Sequence, residues 1–128
     1  MTKKQQIGIF ILRLSLAFVF LWFGFSQLSN AALWVSFVPE WATRFLSSGA
    51  LVYLNGLFEI ALGIMLAFGV LTRYVALVLG LHLFVIAGSM GFSAIGVRDF
   101  GLSLVTISLF FLGNDQFSWS FRKTQNAI

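Results

Sequence analysis

A chain of 128 residues that is 59% hydrophobic and 9% charged, with a mean hydropathy of +0.97, lies far from the roughly 25% charged content of a soluble domain and reads as an integral membrane protein. Four spans of about 20 residues with short connections would use that length, so one transmembrane domain over 1–128 is expected and no soluble second domain. The net charge of +4 comes from scattered basic residues without an aromatic-interleaved basic run, which argues against nucleic acid as a partner, and the lack of cysteine excludes disulfides, thiolate nucleophiles and iron–sulfur ligation by this chain.

The first apolar run covers residues 7–28 behind Lys3 and Lys4. It is too long for a secretory signal and carries Arg13, so it is read as a retained span. Its polar and small residues, Arg13, Ala17, Phe20, Gly24 and Gln27, fall on one stripe of a helix. Residues 31–47 are too polar to cross a bilayer and too aromatic to float free. Here Trp34, Phe37, Val38, Trp41 and Phe45 recur at helical spacing, opposite Ser36, Glu40, Thr43 and Arg44, which predicts an amphipathic interfacial helical segment. Asn30 is its expected N-cap, and Pro39 begins a second helical piece or kinks a continuous one. Trp34 and Trp41 read first as aromatic-belt anchors and second as part of a lid over a substrate.

The second run, 51–71, places Asn55, Glu59 and Gly63 four apart on one face. Only the turn 69–73 separates it from the third run, 74–92, so the two must form an antiparallel hairpin. Gly63 with Ala67, and Ala76 with Gly80, are small residues at matching depths that would let these two backbones approach; Gly56 is read as a packing contact as well. The third run carries His82 and Ser89. The fourth, 94–113 or from Asp99, carries Asp99, Ser103, Thr106 and Phe110 on one stripe.

Each span thus has one polar stripe holding an ionisable group. Turning all four inward avoids exposing charge to lipid, which costs several kcal/mol per group. The expected fold is all-α, an integral membrane four-helix bundle with an interfacial segment between its first two spans. Lys3, Lys4, Arg73, Arg122 and Lys123 fall on one side and Arg44 and Arg98 on the other, which predicts both termini in the cytoplasm.

Glu59 is the residue that most needs an explanation. At 1.5 Å per residue it lies roughly 12 Å from the outer end of its helix and 18 Å from the inner end. A guanidinium could bridge the depth gap of about 6 Å from Arg98 more readily than the gap of about 9 Å from Arg13, so Arg98 is the first expected partner and Arg13 the second. Lacking both, the carboxyl is expected to be neutral and hydrogen-bonded to Asn55 or His82. Glu59 reads equally as a ligand-binding or proton-carrying group and as an internal pair fixing helix register. Arg13 reads first as a snorkelling anchor near the membrane surface, and Asp99 as a helix N-terminal charge or partner of Arg98 ahead of a proton-entry group. His82 reads first as a hydrogen-bonded packing group. As the one histidine it cannot supply bis-histidine haem ligation or a multi-histidine metal site within one chain.

Arg13, Gly24, the stretch Gly56-Leu57-Phe58-Glu59-Ile60-Ala61-Leu62-Gly63, then Gly69-Val70-Leu71-Thr72-Arg73 and Val97-Arg98-Asp99-Phe100-Gly101-Leu102 together resemble the DoxX-like membrane proteins, over about residues 10–113. The resemblance implies a small four-helix bundle in the cytoplasmic membrane of a prokaryote. It also implies association with membrane redox assemblies, the family's name deriving from a subunit associated with a thiosulfate:quinone oxidoreductase. Relatives often carry a lysine near the end of the first helix where this chain has Gln27, which argues against an anionic substrate. Three functions stay open: a redox-associated subunit binding a quinone-like molecule, with a membrane or peripheral redox partner; a small proton- or solute-conducting protein; and a non-catalytic assembly partner or homo-oligomer. The chain has no electron-carrying motif, so a bound molecule or partner would have to supply any redox chemistry.

Overall fold

The computed structural model describes residues 2–119. Four helices make up most of it: α1 (Lys3–Ser29), α2 (Ser48–Phe68), α3 (Thr72–Met90) and α4 (Ala94–Leu112). All four are long and apolar enough to cross a membrane. The chain is a multi-pass membrane protein. At 1.5 Å per residue the 19 residues of α3 and of α4 span about 28 Å, close to a hydrocarbon core of about 30 Å, whereas the 27 of α1 reach about 40 Å and carry its polar first turn beyond the lipid.

Each helix start has a local cause. Thr2 accepts from the Gln5 amide at 3.1 Å while the Gln5 side chain accepts from the Thr2 amide at 2.9 Å, a capping box that opens α1. Ser47 and Ser93 cap α2 and α4 by accepting from Ala50 and Gly96. The fourth span therefore begins at Ala94, the earlier of the two predicted starts.

Three of the four stripes face inward; on α3 His82 is half-buried, and Ser89 is exposed with its hydroxyl donating to the Ile86 carbonyl of its own helix. Arg13, Ala17, Phe20, Gly24 and Gln27 are all buried on α1, as are Gly56, Glu59 and Gly63 on α2 and Asp99, Ser103 and Thr106 on α4. Phe18, Trp22, Phe25, Phe68, Phe84 and Phe111 point outward, which suits acyl chains and would be untenable in water.

Helix pairing differs from the expectation. The closest packing is α1 on α2 and α3 on α4, not α2 on α3. A Cβ on Gly24 would stand 2.8 Å from the Gly56 carbonyl oxygen, and one on Gly56 2.9 Å from the Gly24 carbonyl oxygen, so two glycines let α1 and α2 touch backbone to backbone. Gly63 faces Leu21 of α1, and Gly80 faces Ser103 and Ile107 of α4; neither lies in an α2–α3 seam. A short connection makes two helices sequential neighbours, but side-chain volume decides which pair closes.

The α2–α3 turn is a Schellman motif. Gly69 adopts φ +72°, its amide bonds Leu66 and the Val70 amide bonds Met65. A Cβ there would also collide with Ser118. Gly69→Ala is expected to cost about 1–2 kcal/mol from the left-handed backbone alone, plus the steric term, measured as an earlier midpoint of SDS-titrated unfolding.

The interfacial segment departs from a regular amphipathic helix. It forms three 3₁₀ turns, Ala31–Leu33, Val35–Phe37 and Glu40–Arg44. Pro39 precedes the third and starts it, whereas Asn30 makes no side-chain cap. Arg122 and Lys123, counted above with the basic side, lie outside the described residues.

Candidate functional site

Two charged centres occupy the bundle at different depths. The first is on the face where α1 begins and α4 ends. Arg13 is 1% exposed and donates from Nε to Asp115 Oδ2 at 2.8 Å and from Nη2 to Oδ1 at 3.4 Å. Its Nη1 donates to the carbonyls of Leu66 (2.9 Å) and Ala67 in the last turn of α2, where unpaired carbonyls concentrate negative potential. Arg13 is therefore a buried structural lock and not a snorkelling anchor. Its partner Asp115, missed from the sequence, sits in a turn after α4 that folds back under the bundle, with Phe117 against Phe10 at 4.8 Å and Ser118 beneath Gly69.

The second centre lies toward the opposite face, and it joins three helices. Gln27 of α1 donates from Nε2 to Glu59 Oε2 at 3.4 Å. Asn55 of α2 donates from Nδ2 to Gln27 Oε1 at 2.8 Å. Asn55 Oδ1 accepts from His82 Nε2 of α3 at 2.5 Å. The His82 ring is steadied by Phe58, with ring centres 4.7 Å apart. Neither arginine pairs with Glu59: Arg13 is committed to Asp115, and Arg98 reaches Asp99 instead, Nε to Oδ1 at 3.3 Å, with its guanidinium over the Phe23 ring. Gln27 and Asn55 both approach the Glu59 carboxyl, the Asn55 contact being one that the sequence predicts, and His82 follows through Asn55.

The four side chains border a cavity of about 540 Å³, within the usual range for small-molecule sites. Phe20, Phe23, Val52, Leu83 and Ile86 supply apolar walls, and Arg98, Asp99 and Ser89 add polar groups. Trp34, Phe37, Val38, Pro39 and Trp41 of the interfacial segment line it as well. Trp34 is fixed to α1 by its Nε1 donating to Ser26 Oγ at 3.2 Å and by an edge contact with Phe23. Trp41 is 57% exposed, so one tryptophan is held against the bundle and the other also faces outward.

Apolar side chains pack between and around the two centres. Leu16, Ala17 and Phe20 of α1, Leu66 of α2, Val75, Ala76 and Leu79 of α3, and Leu109 of α4 form one buried apolar cluster. The hydroxyls of Ser103 and Thr106 at this level are turned back onto their own helix, donating to the carbonyls of Phe100 and Leu102. Phe20 and Leu83 belong both to this cluster and to the cavity wall, so the chamber borders apolar packing on its Arg13 side.

The chain matches neither a curated protein nor a solved structure. The family model described as DoxX matches residues 8–93, which takes in α1, the interfacial segment, α2 and α3 but stops short of Arg98, Asp99 and Asp115. With that match over most of its length, on a four-helix membrane bundle with an inward-facing glutamate, the chain belongs to the DoxX family.

Proposed function

We propose that the chamber binds a small amphipathic molecule of the quinone type, and that the whole chain acts as one redox-associated membrane unit. Apolar walls suit a ring and the start of a tail, while the Glu59–Gln27–Asn55–His82 wall and the Arg98 guanidinium offer hydrogen bonds to carbonyl or hydroxyl oxygens. The carrying observation is the asymmetry of this space: polar groups on one wall, aromatic surfaces around it, and the apolar cluster of Leu16, Phe20, Leu79 and Leu83 on its Arg13 side. A conduit for protons or solutes would need free polar groups past that cluster, where the Ser103 and Thr106 hydroxyls are tied to their own helix, and this favours binding over conduction. Electron transfer would fall to the bound molecule and a partner subunit. The basic residues Lys3, Lys4 and Arg73 support both termini in the cytoplasm, and membership of the DoxX family supports a prokaryotic plasma-membrane location.

The test is purification with native lipids followed by mass spectrometry of the extract. Quinone in stoichiometric amount is the expected result. Asn55→Leu, which unties Gln27 from His82, should lower occupancy about tenfold, the equivalent of roughly one hydrogen bond. An extract without quinone, together with proton or solute flux in vesicles that Glu59→Gln abolishes, would overturn the proposal in favour of conduction.

A further inference from the structure

The hydrogen bonds around Glu59 form a chain with a direction. A carbonyl oxygen only accepts, so Asn55 Oδ1 requires the proton of the His82 imidazole to be on Nε2; Asn55 then donates to Gln27, and Gln27 to Glu59. Every link points toward the carboxylate. His82 Nδ1, in the neutral ring, is left as a lone-pair acceptor, and no protein partner for it occurs among the described residues.

A second arrangement uses the same positions. If Glu59 holds a proton it can donate to Gln27, provided the two amides turn over; Gln27 then donates to Asn55, Asn55 to His82 Nε2, and the ring proton must move to Nδ1. Partial reversal would set two N–H groups or two oxygens face to face in a buried site, so the four groups reverse together or not at all. We propose that this chain has two polarities, and that the proton on Glu59 decides whether His82 presents an acceptor or a donor at Nδ1. Resting on the ligand reading above, the chamber is matched to a molecule that interconverts between hydroxyl and carbonyl forms. The hydroxyl form meets the lone pair of Nδ1, and the carbonyl form meets Nδ1–H with one extra proton held on Glu59.

Other charged groups around the chain are few. α4 contributes Arg98 and Asp99 to the same chamber, and α1 contributes only the neutral Gln27, its Arg13 being bonded to Asp115 and the end of α2. Glu40 and Arg44 of the interfacial segment do not line it.

The chain contains one histidine, so ¹⁵N-histidine labelling of the whole protein in nanodiscs reports a single ring. The expected result is a pH-driven exchange of the Nε2–H tautomer at high pH for the Nδ1–H tautomer at lower pH, ahead of full imidazolium formation. Glu59→Gln should abolish that exchange. Asn55→Leu, which removes the one amide that touches His82 and also approaches Glu59, should abolish it too, and Asn55→Ala provides a second cut if Asn55→Leu does not fold. One tautomer at every pH until imidazolium forms, or an exchange that survives loss of the Asn55 amide in folded protein, would overturn the proposal. Duroquinone and duroquinol are the ligand probes: the quinone should favour Nδ1–H and the quinol Nε2–H. A tautomer exchange without binding of either probe would uphold the chain and count against the ligand reading. Binding of both probes with the tautomer unmoved would do the reverse.

Discussion

Arg13→Met is expected to destabilise the bundle by about 3–5 kcal/mol, because it leaves the Asp115 carboxylate buried without its cationic partner and removes the guanidinium from the Leu66 and Ala67 carbonyls at the same time. Asp115 is 0% exposed, so no water compensates for the missing guanidinium. The mirror variant, Asp115→Leu, should also be strongly destabilised, since it strands the arginine. The double variant Arg13→Met/Asp115→Leu should be more stable than either single change, as replacement of both ends of a buried ion pair by apolar groups removes the unpaired charge. SDS-titrated unfolding of the four proteins supplies the comparison, and simple additivity of the two losses would refute the lock. The binding proposed for the chamber should persist in whichever variants remain folded, because Arg13 is bonded to Asp115 and the end of α2 and to none of the Glu59 group.

That pairing also marks where reading the sequence ran out. The inward stripe from Arg13 to Gln27 was legible because a 3.6-residue period with polar and small groups on one side leaves only one face that can avoid lipid. The same logic placed Glu59 and Asp99 inside. It could not say which cation met which anion. Depth alone favoured Arg98 for Glu59, but Arg98 is 54% exposed at the chamber wall and bends to its neighbour Asp99. A signal for Asp115 did exist: Gly113 ends α4, and an acid two residues beyond it lies at the same end of the bundle as Arg13. Only the fold-back of the chain brings the two together, and no periodicity announces it. Gln27, a departure from relatives, links Glu59 to Asn55 because its amide donates at one end and accepts at the other. The interfacial segment had helical spacing, yet its short, proline-broken stretch settles into 3₁₀ turns that wall the chamber.

The chamber and the packing of the bundle meet at Gly56, where the second large effect is expected. A Cβ there would press on the Gly24 carbonyl at 2.9 Å and on Gln27 Cβ and Leu28 Cδ2 at 3.2 Å, and backbone cannot swing aside as a flexible side chain does. Gly56→Ala should therefore push α1 away from α2 at the level where Gln27 reaches Glu59 and Asn55. An overpacking cost of about 1–3 kcal/mol is expected, offset only in part by the better helix propensity of alanine, which is worth roughly 1 kcal/mol over glycine. The functional loss should exceed what stability explains: the 3.4 Å link from Gln27 to Glu59 is already the longest in the chain and would open first. Gly63→Ala is the control. It meets the flexible Leu21 side chain at 3.0 Å, away from the hydrogen bonds, and should lower stability less while leaving the His82 tautomer signal and quinone occupancy in place. If both alanine variants affected occupancy equally, close approach of α1 and α2 would be a property of the bundle alone, with no bearing on how the chamber presents its polar wall.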